Sequence, residues 1–181
     1  MKRRLVIALS ILLLLTAPAR LVAKGKTVKI VVHGTDLAKP IEISDPNVLA
    51  NFRVWTGPGT SSNEAQGLIV DWSSGAVKQL PERLLRYQVS FYVGEANERL
   101  AYVVSYAFDP STAHGYVYIP GRSDKGFELN VRSIFRGVEG NWYHAWTVWE
   151  DIAVPLITKA RVPNSATPLE NQKDAPRLVE T

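Results

Sequence analysis

Two consecutive stretches of this chain alternate strictly between the two faces a strand would present. Leu85, Tyr87, Val89, Phe91 and Val93 alternate with Arg86, Gln88, Ser90 and Tyr92, and Leu100, Tyr102, Val104, Tyr106 and Phe108 repeat the pattern. A period of two places one set of side chains on a buried face and the other on a wetter face, so each run predicts a strand. Residues 94–98 join the two, and residues 109–115 join the second to a short apolar run over 116–119. Turn-rich links of this length predict three consecutive antiparallel strands.

The same reading extends along the chain. Residues 27–32 and 41–44 flank the turn signal His33-Gly34-Thr35-Asp36 and predict a hairpin. Asp45-Pro46 provides an N-cap and a proline at the first helical position, with Val48, Leu49 and Phe52 as the apolar side of one short helix. Residues 56–67 are a loop by composition. Further strands are predicted over 68–72, over 127–135, where Phe127, Leu129, Val131 and Phe135 alternate with Glu128, Asn130, Arg132 and Ile134, and over 142–149. The expected fold is therefore all-β, an antiparallel sandwich or open barrel of about eight short strands with one short helix.

The ends of the chain are different in kind. Lys2, Arg3 and Arg4 precede an apolar run over 5–15, interrupted only by Ser10, and small residues follow. That order is the mark of an export signal. As a helix the run reaches roughly 16 Å, about half of a ~30 Å hydrocarbon core, so it is short for a membrane span. Cleavage after Ala19 or after Ala23 fits the small-residue rule, and cleavage after Ala23 sets the boundaries used below. Three segments result: a signal peptide over 1–23, a β-rich globular domain over 24–158, and a polar tail over 159–181 whose prolines and absence of apolar periodicity predict disorder. The exported product is expected in the periplasm or outside the cell, with no stable membrane span after cleavage.

Removing the leader also changes the charge. Lys2, Arg3, Arg4 and Arg20 all precede Lys24, so the 21 basic residues fall to 17, against 17 acidic ones. A neutral domain with no basic run excludes the electrostatic footprint of a nucleic-acid partner. The chain has no cysteine, which excludes disulfides, thiol nucleophiles and Cys-ligated zinc. A domain of about 160 residues buries enough surface to stand without such staples.

Tyr102-Val103-Val104-Ser105-Tyr106, followed by Gly115-Tyr116-Val117-Tyr118-Ile119-Pro120-Gly121, resembles a pattern found in a family of exported bacterial proteins with no assigned activity. The resemblance implies export and a β-rich domain, and it brings no ligand or catalytic residue with it.

Individual residues carry the remaining chemistry. His33, His114 and His144 lie in different hairpins and share no metal-ligand spacing. The stretch from Asp109 to Gly115 has one carboxylate where calcium needs several oxygen ligands, so it reads as a turn. No G-x-S-x-G elbow is present. Glu139, Glu150 and Asp151 could support glycoside hydrolysis only at a defined separation across a cleft. No catalytic residue, metal or cofactor is therefore assigned. The most unusual segment is Trp142-Tyr143-His144-Ala145-Trp146-Thr147-Val148-Trp149. Read as a strand, it puts Trp142, His144 and Trp146 on one face, either as a stacking platform for sugar rings or as core. The expected function is a non-catalytic binding or interaction module, for carbohydrate or an envelope protein. The alternatives are a small extracytoplasmic hydrolase and a structural envelope-associated domain.

Overall fold

A computed structural model describes residues 25–62, 64–94 and 97–162. The leader expected over 1–23 and residues 163–181 of the expected tail lie outside the described residues. The strands are β1 (Thr27–His33), β2 (Ile41–Ile43), β3 (Gln66–Gly67), β4 (Val70–Ala76), β5 (Leu85–Val93), β6 (Arg99–Phe108), β7 (Gly115–Ile119) and β8 (Asn141–Ala145). They form one sheet in the order β2-β1-β5-β6-β7-β8-β4-β3, antiparallel at every pairing and open at both ends. The architecture is all-β and open, as the alternation predicts. The hairpin of β1 and β2 and the run of β5, β6 and β7 fall where the sequence places them. The short helix α1 (Pro46–Leu49) does too, with the Asp45 carboxylate accepting the Asn47 amide at 2.8 Å.

Two expectations are overturned. The strand expected over 127–135 is a helix, α2 (Phe127–Ser133). Its period-two apolar pattern loses to a tertiary demand from β6. Strand β7 pairs with β6 only from Ser105 to Phe108, which leaves the outer edge of β6 at Val103 without a strand beside it. The buried Asn130 amide takes that place, accepting from the Val103 N–H at 2.8 Å and donating to its carbonyl at 2.7 Å. Gly126, at φ 91°, turns the chain into the helix.

The strand expected over 142–149 stops at Ala145, and α3 (Thr147–Ala160) follows. Trp149, Ala153 and Ile157, four residues apart, form a fully buried stripe, the periodicity that lets a helix face a core. Trp149 sits edge-on to Phe52 at 5.4 Å and to Tyr106 at 5.8 Å. The last turn is tied back to the first hairpin, where the Asp36 carboxylate receives both Arg161 Nε and the Tyr87 hydroxyl at 2.8 Å. Residues 159–162, expected in the tail, are thus part of the fold.

The core lies between the inner sheet face and the elements that cover it. Ile30, Val32, Val89, Phe91, Val104, Tyr106, Val117 and Ile119 point inward, and the stripe of α3 joins Leu49, Phe52, Val54, Leu68 and Ile69 against them. The outer face has less cover: α2 shields its end near Val103 and leaves the rest open.

Candidate functional site

Strand β8 decides which of the singled-out aromatics can meet a ligand. Tyr143 and Ala145 are buried and belong to the core, whereas Trp142 is half-buried and His144 exposed. Alternation therefore sends Trp142 and His144 to the outer face. Trp146 does not join them. It is the residue that caps α3, its amide bonds to the Ile69 carbonyl at 2.9 Å, and its ring meets Phe52 edge-on at 5.9 Å within the inner packing. The shared face expected for all three required a strand running one residue further than it does.

Register supplies the neighbours that the sequence does not place. His144 pairs with Tyr116 and Trp142 with Tyr118. Each is a tilted ring contact, at 5.4 Å for Tyr116 with His144 and 5.1 Å for Tyr118 with Trp142. Tyr116 pairs in turn with Ala107 and then Arg86, and Tyr118 with Ser105 and then Gln88. Two rows result, Arg86-Ala107-Tyr116-His144 and Gln88-Ser105-Tyr118-Trp142. The small side chains of Ala107 and Ser105 leave a low floor between the aromatics and β5. Arg86 reaches across that floor, its guanidinium carbon 5.4 Å from the centre of the Trp142 ring.

The polar groups at the margin are fixed. The Tyr118 hydroxyl donates to Asp124 at 2.7 Å, and the same carboxylate oxygen accepts the Gly121 amide at 2.8 Å. These bonds hold the Asp124 carboxyl below its usual range. Asp71, opposite His144, accepts from the Ser73 amide and hydroxyl and from the Ser74 hydroxyl at 2.7 Å. Its carboxyl is also held low, mainly by Ser73. The surface is thus two aromatic pairs with anchored edges.

Past the His144 end of this face lies a titratable cluster. Glu150, in the first turn of α3, accepts the Gly115 amide. Burial raises its carboxyl above the usual range, against that bond and the attraction of His114 and His144. The Tyr106 hydroxyl, held against the Gly115 backbone, is buried without a hydrogen bond, and burial raises it further from its ionised form. Glu150 accepts from Gly115 through one oxygen, and Asp71 from Ser73 and Ser74. Glu139 and Glu150 lie beyond opposite ends of β8. No group of three or more His, Asp or Glu among the described residues is placed to hold a metal. In the 109–115 turn the Asp109 carboxylate is occupied by the Ser111 amide at 2.8 Å and its hydroxyl at 2.6 Å.

Two other features lie on the α1 side. A groove of about 840 Å³ is lined by Val28, Leu49, Arg53, Trp55 and Glu64, among others. Its largest side chain is engaged locally, with Trp55 Nε1 donating to the Gly25 carbonyl at 2.6 Å. Beside it, the loop after α1 is held by a buried arginine that no sequence motif singles out. Arg136 donates to the carbonyls of Val54, Thr56 and Pro58, with its guanidinium over Tyr102 at 5.1 Å and Trp72 at 5.6 Å. This is a structural latch, and it accounts for Trp72 as packing. No helix among the described residues is long and apolar enough to cross a membrane. Compared with protein families, curated proteins and solved structures, the chain matches none.

Proposed function

We propose that this chain is an exported, non-catalytic binding module whose recognition surface is the outer sheet face bearing Tyr116, Tyr118, Trp142 and His144, and whose ligand is a glycan. The observation that carries the reading is the pair of ring contacts, Tyr116 with His144 and Tyr118 with Trp142, on a face that α2 leaves uncovered. Half-exposed aromatics fixed by cross-strand neighbours present apolar ring surface with polar rims. Sugar rings meet that chemistry with their C–H faces and their hydroxyls. Binding costs little reorganisation when the receiving side chains are already held. Export rests on the order of charged, apolar and small residues over 1–23.

Titration of the exported protein with neutral and acidic oligosaccharides tests the binding half of the proposal. Trp142→Ala should weaken every glycan that binds while leaving the melting temperature nearly unchanged, because Trp142 stands outside the core. Unchanged affinity in that variant removes the platform. Intact mass of the secreted product tests export, with a chain beginning at Arg20 or Lys24 expected and one retaining Met1 against it.

A further inference from the structure

Arg86 lies across the aromatic pairs of this face, while Lys29, paired with Glu98, lies over Tyr92 further along it. The Arg86 guanidinium rests over the Trp142 ring and forms no ion pair or hydrogen bond among the described residues. The nearby acids keep their charge but form no ion pair with it among the described residues: Asp71 accepts from Ser73 and Ser74, and Asp124 from Tyr118 and Gly121. We infer that the face takes a glycan whose rings carry carboxylates, and that Arg86 is the residue that selects for them. This rests on the platform reading above.

The geometry gives each group a part. A ring stacked on Trp142 or Tyr118 lies beside the floor of Ser105 and Ala107, within the span that Arg86 already crosses. Arginine presents several N–H donors in a planar fork, and a carboxylate accepts two of them side by side. Contact with the aromatic ring restrains the side chain before the ligand arrives, so less freedom is lost on binding. Gln88, exposed on the next row and opposite His33, adds a neutral donor and acceptor for hydroxyls. A single-stranded nucleic acid would also stack on aromatics, but it needs a line of cations along its backbone. Among the described residues this face lays Arg86 over Trp142 and Lys29 over Tyr92, and Lys29 is already paired with Glu98.

The test titrates the intact exported protein with oligogalacturonides, with neutral galactose oligomers of the same length, and with an oligothymidine, at low and high salt. The acidic sugar should bind about tenfold more tightly than the neutral one, as expected for one charge-assisted contact, and the advantage should shrink with salt. Arg86→Gln should bind the two sugars equally, with an unchanged melting temperature because the residue is exposed. Equal binding by the wild-type protein, or a preference that survives Arg86→Gln, overturns the inference and leaves the platform standing. If neither sugar binds, or Trp142→Ala binds both as before, the platform falls and the inference with it. Tighter binding of the oligothymidine than of either sugar also overturns it.

Discussion

Asn130 is the buried residue whose loss should be felt most for its size. Its amide makes two bonds to Val103, at 2.8 and 2.7 Å, both on the backbone of a buried strand. Asn130→Ala leaves the Val103 N–H and C=O without a partner, and a buried polar group left unmatched costs about 1–3 kcal/mol. Two such groups give roughly 2–6 kcal/mol, less a few tenths of a kcal/mol because alanine is the better helix former. The expected loss is about 3 kcal/mol. With a urea slope of about 2 kcal/mol/M, the midpoint should fall by roughly 1.5 M at unchanged slope. Amide exchange adds a local readout, since the Val103 N–H should lose protection before its neighbours on the β5 side of β6. A loss below about 1 kcal/mol, with Val103 still protected, would refute the reasoning: water or a shifted α2 would then be replacing the amide.

Tyr106→Phe removes a buried hydroxyl that has no partner and should leave stability unchanged or raise it by about 1 kcal/mol; a clear loss in a thermal melt would mean that the hydroxyl is bonded. Asp71, Asp109 and Asp124 have carboxyls held below their ordinary range, so in an acid titration of the urea midpoint their contribution should be whole above that range and lost as pH falls below it through the folded values. Glu150 has the opposite sign: its raised carboxyl contributes most below the ordinary glutamate range and loses that contribution as pH rises through its folded value. Glu150→Gln should therefore flatten the decline in urea midpoint from acidic to neutral pH, and an unchanged slope would count against it. Gly59→Ala puts a Cβ 2.5 Å from the Phe135 carbonyl at φ 71° and should cost at least about 1 kcal/mol by urea melt. Trp146→Ala should cost about 3 kcal/mol or more, and Trp142→Ala much less, so equal melting temperatures for the two would refute their assignment to opposite sides of the sheet.

The long strands were legible because nothing competes with their pattern. The runs that became β5 and β6 are long, alternate cleanly and end in turn chemistry, so local preference and tertiary packing agree. Helix α2 was not legible because its period of two is genuine over 127–131 but breaks at Ser133 and Ile134, and the reason it is a helix lies at Val103, far away in sequence. Helix α3 hid for another reason. Its start is crowded with tryptophan, threonine and valine, which favour strands, and Pro155 falls inside it, where proline ordinarily argues for a break. The stripe of Trp149, Ala153 and Ile157 was the available signal. It outweighs the proline because it buries one large aromatic and one branched side chain against a ready-made sheet face.

The candidate site shows where such reading stops. That Trp142 and His144 share a face follows from parity alone, yet parity does not say which face is buried. That choice is made by Tyr143, whose ring packs against Trp72 at 5.1 Å and whose hydroxyl reaches the Val138 carbonyl at 3.2 Å, inside the curve of the sheet. Parity groups Trp146 with them only if the strand runs one residue further, and the turn into α3 removes that residue. Arg86 was beyond reach for a deeper reason. It meets Trp142 only because β5, β6, β7 and β8 pair in successive registers and because Ser105 and Ala107 are small enough to reach across. A slip of one residue at any of these pairings turns Arg86 and Trp142 to opposite sides of the sheet. The contact that gives the face its chemical preference is therefore a property of register, which turns and core packing set together, rather than of any segment that could be read by itself.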